Sequence, residues 1–496
     1  MIAVLLILIP LITGLATFFI RNDKLVKAWS LFATVITLAV SISGIWLVKD
    51  AKYLEHHGTW LQILGSSFSV KLDALGQLLC LLTAIGYFLI FTATWKNVYS
   101  KSYNFYGLML LALSGLMGVY LAMDALLLYF FWELTLIPVY FLCSQWGGER
   151  RIAVTFKFFV YTFLGSILML VGILYLQSKT ADHSFSIKSF YELQTTLSKG
   201  DQSWLFWLFF IAFAVKMPIF PFHTWQPDTY QQSPTSTTMV LSGLMVKMGL
   251  LGLIRWLVPI LSIGAEMWSY TVIPLALIGL IYASLIALRL SDMKLIIAYS
   301  SIAHVALMCV AVFASNEIAM QGVLLQMFNH GINIIGMWMV ADMIEKRTGT
   351  TKFSGLGGLA QKAPTMAIFF VIISLANIAL PLTNGFAGEF LMFTGIMKIH
   401  SPYYLWFTIA ACAGVVLGAA YTLRMVRKIF YGELSTEVTG FEDVSLNEKL
   451  ALSLVVILIL VLGIYPQAIL NMTDSFSKDF IERINIIQFL PSKTGI

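Results

Sequence analysis

Apolar runs of about twenty residues follow one another along most of the chain, separated by short polar breaks. As a helix, each run is long enough to cross roughly 30 Å of hydrocarbon. The runs fall near 1–20, 28–48, 72–94, 105–123, 125–143, 152–177, 204–233, 236–258, 270–290, 294–314, 318–342, 363–397, 403–430 and 449–471. This pattern predicts an all-α polytopic membrane protein of about 14 transmembrane helices. The longest polar gaps, near 178–203 and 432–448, leave no room for a soluble domain, so 1–496 reads as a single transmembrane domain. The first run has neither a basic start nor a small-residue cleavage site, and is expected to be a retained helix. The segment 472–496, containing FSKDFIERINIIQFL, reads as an amphipathic tail lying on the surface or on a partner.

Two spans are too long and too interrupted to be plain helices. The seventh, FFIAFAVKMPIFPFHTWQPDTYQQSPT, carries Pro218, Pro221, Pro227 and Pro234. Proline lacks the backbone donor and clashes with the preceding turn, so Pro218 and Pro221 are expected to free the carbonyls of Ala214 and Met217 on either side of Lys216. The twelfth, ISLANIALPLTNGFAGEFLMFTGIMK, carries Pro381, Asn384, Gly385 and Gly388 ahead of Glu389. Irregular backbone at membrane depth survives only inside protein or beside a wet cavity. The five-span spacing of the breaks fits two inverted five-helix repeats, 105–258 (helices 4–8) and 270–430 (helices 9–13), with broken helices 7 and 12.

Composition sharpens this picture. The chain is 59% hydrophobic and only 11% charged, far below the charge of a soluble domain. Its net charge of +6 is spread over loops and gives nucleic-acid binding no support. The basic clusters Glu149-Arg150-Arg151, Glu345-Lys346-Arg347 and Arg424 to Lys428 share one side, which places both termini on the outer side of an inner or cytoplasmic membrane. The cysteines Cys80, Cys143, Cys309 and Cys412 are isolated, and no phosphate-binding glycine loop occurs. No metal or cofactor is therefore expected within this chain, and any redox chemistry falls to a partner.

Against that apolar background, Glu133, Lys216, Lys247 and Glu389 stand out. A charge near the bilayer centre costs a few kcal/mol or more and by default marks an ion path. Glu133 sits roughly 12–15 Å from either end of its span, and Pro138 opens polar backbone beside it. A structural ion pair, or a protonated Glu bonded to a neighbouring helix, is the alternative reading. Lys216 precedes the first proline of the broken span. Lys247 has Gly243 one turn earlier, which leaves space for its side chain; snorkelling to an interface is the alternative for either lysine. Ser300 and Ser301 flank His304. Gln326, Asn329, His330 and Asn333 form one polar helical stripe, which suits either bridging waters or interhelical hydrogen bonds. His223, with Asp228 five residues on, is a candidate gate. Glu389 either continues the charged line or caps a half-helix after Gly388.

The segments FFWELTLIPVYFL, FAVKMPIFPFHTWQPDTYQQSPT, SGLMVKMGLLGLIRW, MKLIIAYSSIAHVALM and LLQMFNHGINIIGMWMVADMIEKRTGT resemble the antiporter-like membrane subunits of respiratory complex I, over roughly residues 70–430. The resemblance implies the helix count, the inverted repeats and a proton path along the membrane midplane. In it, Glu133 matches the helix-5 glutamate, Lys216 and Lys247 the lysines of helices 7 and 8, and His304 and His330 the connecting polar line. Glu389 matches a position that is lysine in most sister subunits and glutamate in one type. One departure is LPLTNGFAGEF, where the family usually has proline–glycine before the acid. The resemblance further implies a translocase subunit of an NADH:quinone oxidoreductase, driven by electron transfer through flavin and iron–sulfur centres of partner subunits. Its neighbours would be L-type and N-type antiporter-like subunits and the lipid bilayer. The same module serves multisubunit sodium–proton antiporters and membrane-bound hydrogenases, which remain the alternatives. A scaffold whose charges only hold helices together is a third.

Overall fold

A computed structural model describes residues 1–48 and 50–485. Among the described residues, eleven helices are long and apolar enough to cross a membrane. The first expected span is a shorter apolar helix, α1 (Ile2–Thr17). It is followed by α2 (Asp23–Trp46), α3 (Ala74–Ala93), α4 (Ser102–Leu121), α5 (Ala125–Trp146) and α6 (Arg151–Lys179). The seventh span is two pieces, α7 (Lys199–Lys216) and α8 (Gln226–Gln232). Then come α9 (Thr235–Leu257), α10 (Ser262–Arg289), α11 (Met293–Phe313) and α12 (Glu317–Thr348). The twelfth span is also two pieces, α13 (Pro364–Asn377) and α14 (Asn384–Ile396). The bundle closes with α15 (Tyr404–Phe430), α16 (Leu446–Ile464) and the amphipathic α17 (Gln467–Asn485).

The prolines break the chain where expected, with one difference. Ala214 does not keep a free carbonyl, because the Ile219 N–H reaches over the break and donates to it at 2.9 Å. A wider i to i+5 closure satisfies the group that the missing proline N–H would have served.

α9 and α12 are buried along their whole candidate spans, whereas about a third of the α2, α15 and α16 spans is buried. The first two therefore form the centre and the others turn much of their surface outward. α9 is not a uniform helix: π-helical turns occupy Leu241–Met245 and Gly252–Leu257. Gly243, in the first of these, does not make room for Lys247 as the spacing suggested. A side chain there would meet Ile335 Cγ1 of α12 at 2.7 Å, so the glycine's role is to let α9 and α12 approach. Gly249 does the same against α7, where a Cβ would lie 2.7 Å from the Phe213 carbonyl oxygen.

An antiparallel hairpin that the hydrophobic pattern did not announce, β1 (Glu55–Leu61) and β2 (Ser66–Lys71), joins α2 to α3. Asp124 anchors it. Its carboxylate accepts from Ser66 Oγ at 2.8 Å and Ser67 N–H at 2.9 Å, and also caps α5 through Leu126 and Leu127. The Met1 ammonium donates to the Tyr53 carbonyl and Gln194 Nε2 to the Arg483 carbonyl. Lys52 and Arg483 line one cavity with the hairpin, so the chain start and the end of α17 share a face of the bundle. α17 buries Ile469, Thr473 and Phe480 and packs on α3 and α12, in keeping with an amphipathic surface helix. The part of the expected tail at 486–496 lies outside the described residues.

Ion pairs tie the helix ends together on both faces. On the hairpin face, Arg255 of α9 donates to Asp73 Oδ1 at 2.5 Å and to the Tyr120 carbonyl at 2.6 Å. On the opposite face, Lys294 pairs with Glu345 at 2.5 Å, Lys346 with Asp342, and Arg347 with Glu448 at 2.6 Å.

Candidate functional site: a buried line of acids and bases

The line has two parts. In the first, Glu133 projects from α5 and Lys216 ends α7 at the proline break. Lys216 is 3% exposed, and its ammonium lies 5.6 Å from the centroid of the Trp132 ring, next to Glu133 in sequence. The indole face gives that cation an electrostatic partner that is not a proton acceptor. No cation lies within salt-bridge distance of Glu133 among the described residues, and one carboxylate oxygen of Glu133 and the Lys216 nitrogen have no protein hydrogen-bond partner there. The two groups are thus near neighbours in an open arrangement. An unpaired buried charge is costly, so this arrangement responds to any movement that closes the gap.

The second part is two bonded pairs whose imidazoles lie close but unbonded, since His330 Nε2 has no hydrogen-bond partner among the described residues. Lys247, fully buried in α9, donates to His330 Nδ1 of α12 at 2.8 Å and reaches the Ser242 carbonyl at 3.4 Å. When Lys247 carries its proton it donates to Nδ1, which leaves the proton of a neutral His330 ring on Nε2. The His330 and His304 rings lie 5.5 Å apart between centroids. His304 Nδ1, on α11, stands 3.2 Å from Glu389 Oε1 on α14. Base, imidazole, imidazole and acid therefore follow one another across four helices. The links between the two parts are helix contacts, since α9 packs on α7 at Gly249.

Glu389 is not a helix cap. α14 starts at Asn384 with Thr383 as its N-cap residue and has no acid in its first turn. The carboxylate instead takes His304 and, at 3.4 Å, Gln326 Nε2. Gly388 admits Gln326, whose Cβ would lie 3.2 Å from a Cβ at that position. Each residue of the α12 polar stripe has a partner: Gln326 meets Glu389, Asn329 Nδ2 donates to the Asn384 carbonyl at 2.6 Å, His330 meets Lys247, and Asn333 Oδ1 accepts from Asn384 Nδ2 at 3.0 Å, while Gln326 Oε1, Asn329 Oδ1 and His330 Nε2 stay unpartnered among the described residues.

Several members of this shell carried no sequence signal of their own. Asn384 stood only as a helix breaker, yet it links the α14 start to α12. Ser300, noted as a neighbour of His304, accepts from Asn377 Nδ2 at 3.1 Å and Tyr421 OH at 3.0 Å, which ties α11 to α13 and α15. His223 and Asp228 are not brought together. His223 is buried with its ring 5.5 Å from that of Tyr282, and Asp228 pairs with Lys157 at 3.1 Å. A cavity of about 400 Å³ opens at the start of α9 on the face opposite the hairpin, lined by Tyr99, Thr235, Lys294 and Glu345. Below it, Ser242 Oγ donates to the Thr238 carbonyl at 2.8 Å, and Ser242 itself faces Lys247 through its carbonyl.

A bundle of interrupted helices around a buried acid–base line defines a polytopic membrane protein with a polar axis in its interior. The chain belongs to the family described as NADH:quinone oxidoreductase/Mrp antiporter, TM, whose model matches residues 122–417. It is 34% identical to NADH-quinone oxidoreductase subunit M of Rickettsia prowazekii, with 94% of this chain and 95% of that protein covered. Among solved structures it resembles a chain of respiratory complex I from Thermus thermophilus with bound NADH, at a TM-score of 0.90 and 26% identity, covering 98% of this chain and all of that one. A chain of the Mrp complex from Dietzia shares the fold at a TM-score of 0.85 and 18% identity; the match covers 98% of this chain and 55% of that one.

Proposed function

We propose that this chain is the M-type membrane subunit of a respiratory NADH:quinone oxidoreductase and that it moves protons across the bilayer. The observation that carries this reading is the succession Lys247, His330, His304, Glu389, in which each group can hold a proton, Lys247 bonds His330, His304 meets Glu389 and the two rings lie 5.5 Å apart. The near full-length likeness to subunit M of Rickettsia prowazekii supports the choice of type, as does an acid at Glu389.

In this reading Glu133 and Lys216 are the control pair. When a signal from electron transfer in partner subunits closes or opens their gap, the charge on Lys216 changes what Lys247 can hold. Lys247 loads from the cavity at the start of α9. It passes its proton to His330 Nδ1, and the imidazole releases its other proton from Nε2 toward His304 and Glu389. The inverted repeats 105–258 and 270–430 would supply one broken helix to each half of this path. Flavin and iron–sulfur centres belong to the partner subunits, L-type and N-type subunits are the membrane neighbours, and the hairpin face is the outer one. Glu133, Lys216, Lys247, His304, His330 and Glu389 carry the proton chemistry, and His223 with Asp228 has a peripheral place at most.

The test is Glu133→Gln in the native complex, with quinone reduction and lumen acidification measured together in vesicles supplied with NADH. Loss of both activities in a normally assembled complex is the expected result. Unchanged NADH-driven pumping would remove the chain from coupling and turn attention to sodium–proton exchange. Lowered assembly with full pumping per assembled complex would make the charges a scaffold.

A further inference from the structure

We infer that Arg255 is a fixed cationic barrier that closes the hairpin-face end of α9 to protons, so that a proton on Lys247 leaves sideways through His330. The inference rests on the proton-carrying reading of Lys247 given above.

α9 carries two buried cations of different chemistry. Lys247 is an amine, able to lose its proton when its surroundings favour that. Arg255, eight residues further on, is a guanidinium that stays protonated in proteins and cannot relay. They are separated by roughly 12 Å of helix. A cavity of about 760 Å³ opens on the hairpin face, with Lys71, Asp73, Tyr191 and Arg483 in its walls, and it ends on Ile254 and Arg255. Along α9, Arg255 stands between this cavity, whose lining it joins, and Lys247.

The geometry of the end of the cavity suits a stopper. The Arg255 side chain is 2% exposed and that of Asp73 is 22% exposed, so the guanidinium lies inward of the carboxylate that holds it. Its second nitrogen is taken by the Tyr120 carbonyl at 2.6 Å. Tyr120 continues the seal inward: its hydroxyl donates to the Leu244 carbonyl at 2.9 Å, so its proton is committed to backbone in the π turn just before Lys247. Tyr191 OH closes over the outer side, donating to the Arg255 carbonyl at 3.1 Å. A buried cation pinned in the inner wall of a cavity repels protons and cations arriving through it. Asp73 also caps α3 through Gly76 N–H at 2.8 Å, which fixes the carboxylate and with it the guanidinium.

The experiment compares proteoliposomes carrying the purified complex, either wild type or Arg255→Met. Without NADH, an imposed pH gradient is followed as it decays; quinone reduction and assembled complex are measured on the same material. R255M is expected to dissipate the gradient about threefold faster or more, with quinone reduction and assembly near wild type. Adding Lys247→Met to R255M should restore a slow decay, because the leak runs through that amine. A purely structural Arg255 would lower assembly without that Lys247 dependence. Unchanged decay in assembled R255M overturns the inference. If R255M does not assemble, Arg255→Gln carries the test: it keeps amide donors for Asp73 and Tyr120 but no charge, and it must leak as well. A tight, assembled R255Q overturns the inference. NADH-driven acidification by the wild-type liposomes is read separately, and its absence would defeat the proton-carrying reading whatever Arg255 does.

Discussion

Lys247 has one good side-chain partner, and its value depends on that partner's second nitrogen. In the proposed relay His330 takes the Lys247 proton on Nδ1 and releases one from Nε2, so its removal takes out both the acceptor and the next donor. His330→Leu is expected to lower NADH-driven acidification at least about a hundredfold per assembled complex, within the range for loss of a positioned proton-transfer group. Vesicle acidification normalised to immunodetected complex checks this. Gln326→Leu should act more weakly, about twofold to tenfold, because it removes only a long 3.4 Å bond to Glu389 and leaves His304 in place. Charged residues of this kind were legible in the sequence, since Glu133, Lys216, Lys247 and Glu389 each stand alone in an apolar run. Asn377, Ser300 and Tyr421 were not, because single neutral polar residues are ordinary in membrane helices and only their meeting across three helices gives them a role. Arg255 escaped for a similar reason: a basic residue near the end of an apolar run reads as a residue at the membrane interface, whereas here it is 2% exposed.

Among the elements, α9 and α12 are held in register by glycine. Gly243→Val would drive a branched side chain into Ile335, whose Cγ1 already lies 2.7 Å from the position of a Cβ. We expect a loss of about 1–3 kcal/mol in stability, read as a lower melting temperature of the complex. Ile335→Ala in the same chain should return part of it, a coupling that separate defects would not show. A second local device is Asp124, which caps α5 and grips Ser66 and Ser67 of the hairpin. Asp124→Ala should cost about 1–3 kcal/mol and expose the hairpin to proteolysis, measured as cleavage between α2 and α3. The broken helices could be read from Pro218, Pro221, Pro381 and the glycines after it, because proline has one local consequence. The π turns of α9 could not, since their sequences, LSGLM and GLIRWL, suit an α-helix equally well and tertiary packing decides. The hairpin was hidden by its polarity: its strands lie in a gap between apolar runs, and only Trp60, Phe68 and the buried Val70 pack on the bundle, beside the grip of Asp124 on Ser66 and Ser67.

At the scale of the whole molecule, the hairpin face is assembled from distant parts of the chain. α17 is fastened by Gln194 to Arg483 and by Gln321 to Asp474 at 3.2 Å. Truncation before Gln467 should therefore uncover the hairpin-face ends of α3 and α12 and lower the yield of assembled complex several-fold on native gels, while substitutions confined to the lipid-facing side of α2 leave it unchanged. The general plan, a bundle with two interrupted members and a charged axis, followed from the hydrophobic pattern alone. The side on which each loop closes, and the burial of α9 and α12 at the centre, depended on contacts among residues hundreds of positions apart. That burial has a consequence for how the protein is made. α12, with its stripe of Gln326, Asn329, His330 and Asn333, is the least hydrophobic of the eleven long helices. It is therefore the segment least able to remain in lipid by itself. Part of its cover, α3, α9 and α11, precedes it in the chain and is already in the membrane when α12 leaves the ribosome, whereas α13, α14, α16 and α17, which also pack on it, follow. The order of the genetic message thus doubles as a two-stage assembly schedule, in which the earlier helices shelter one flank of α12 at once and the other flank waits for α13 and α14.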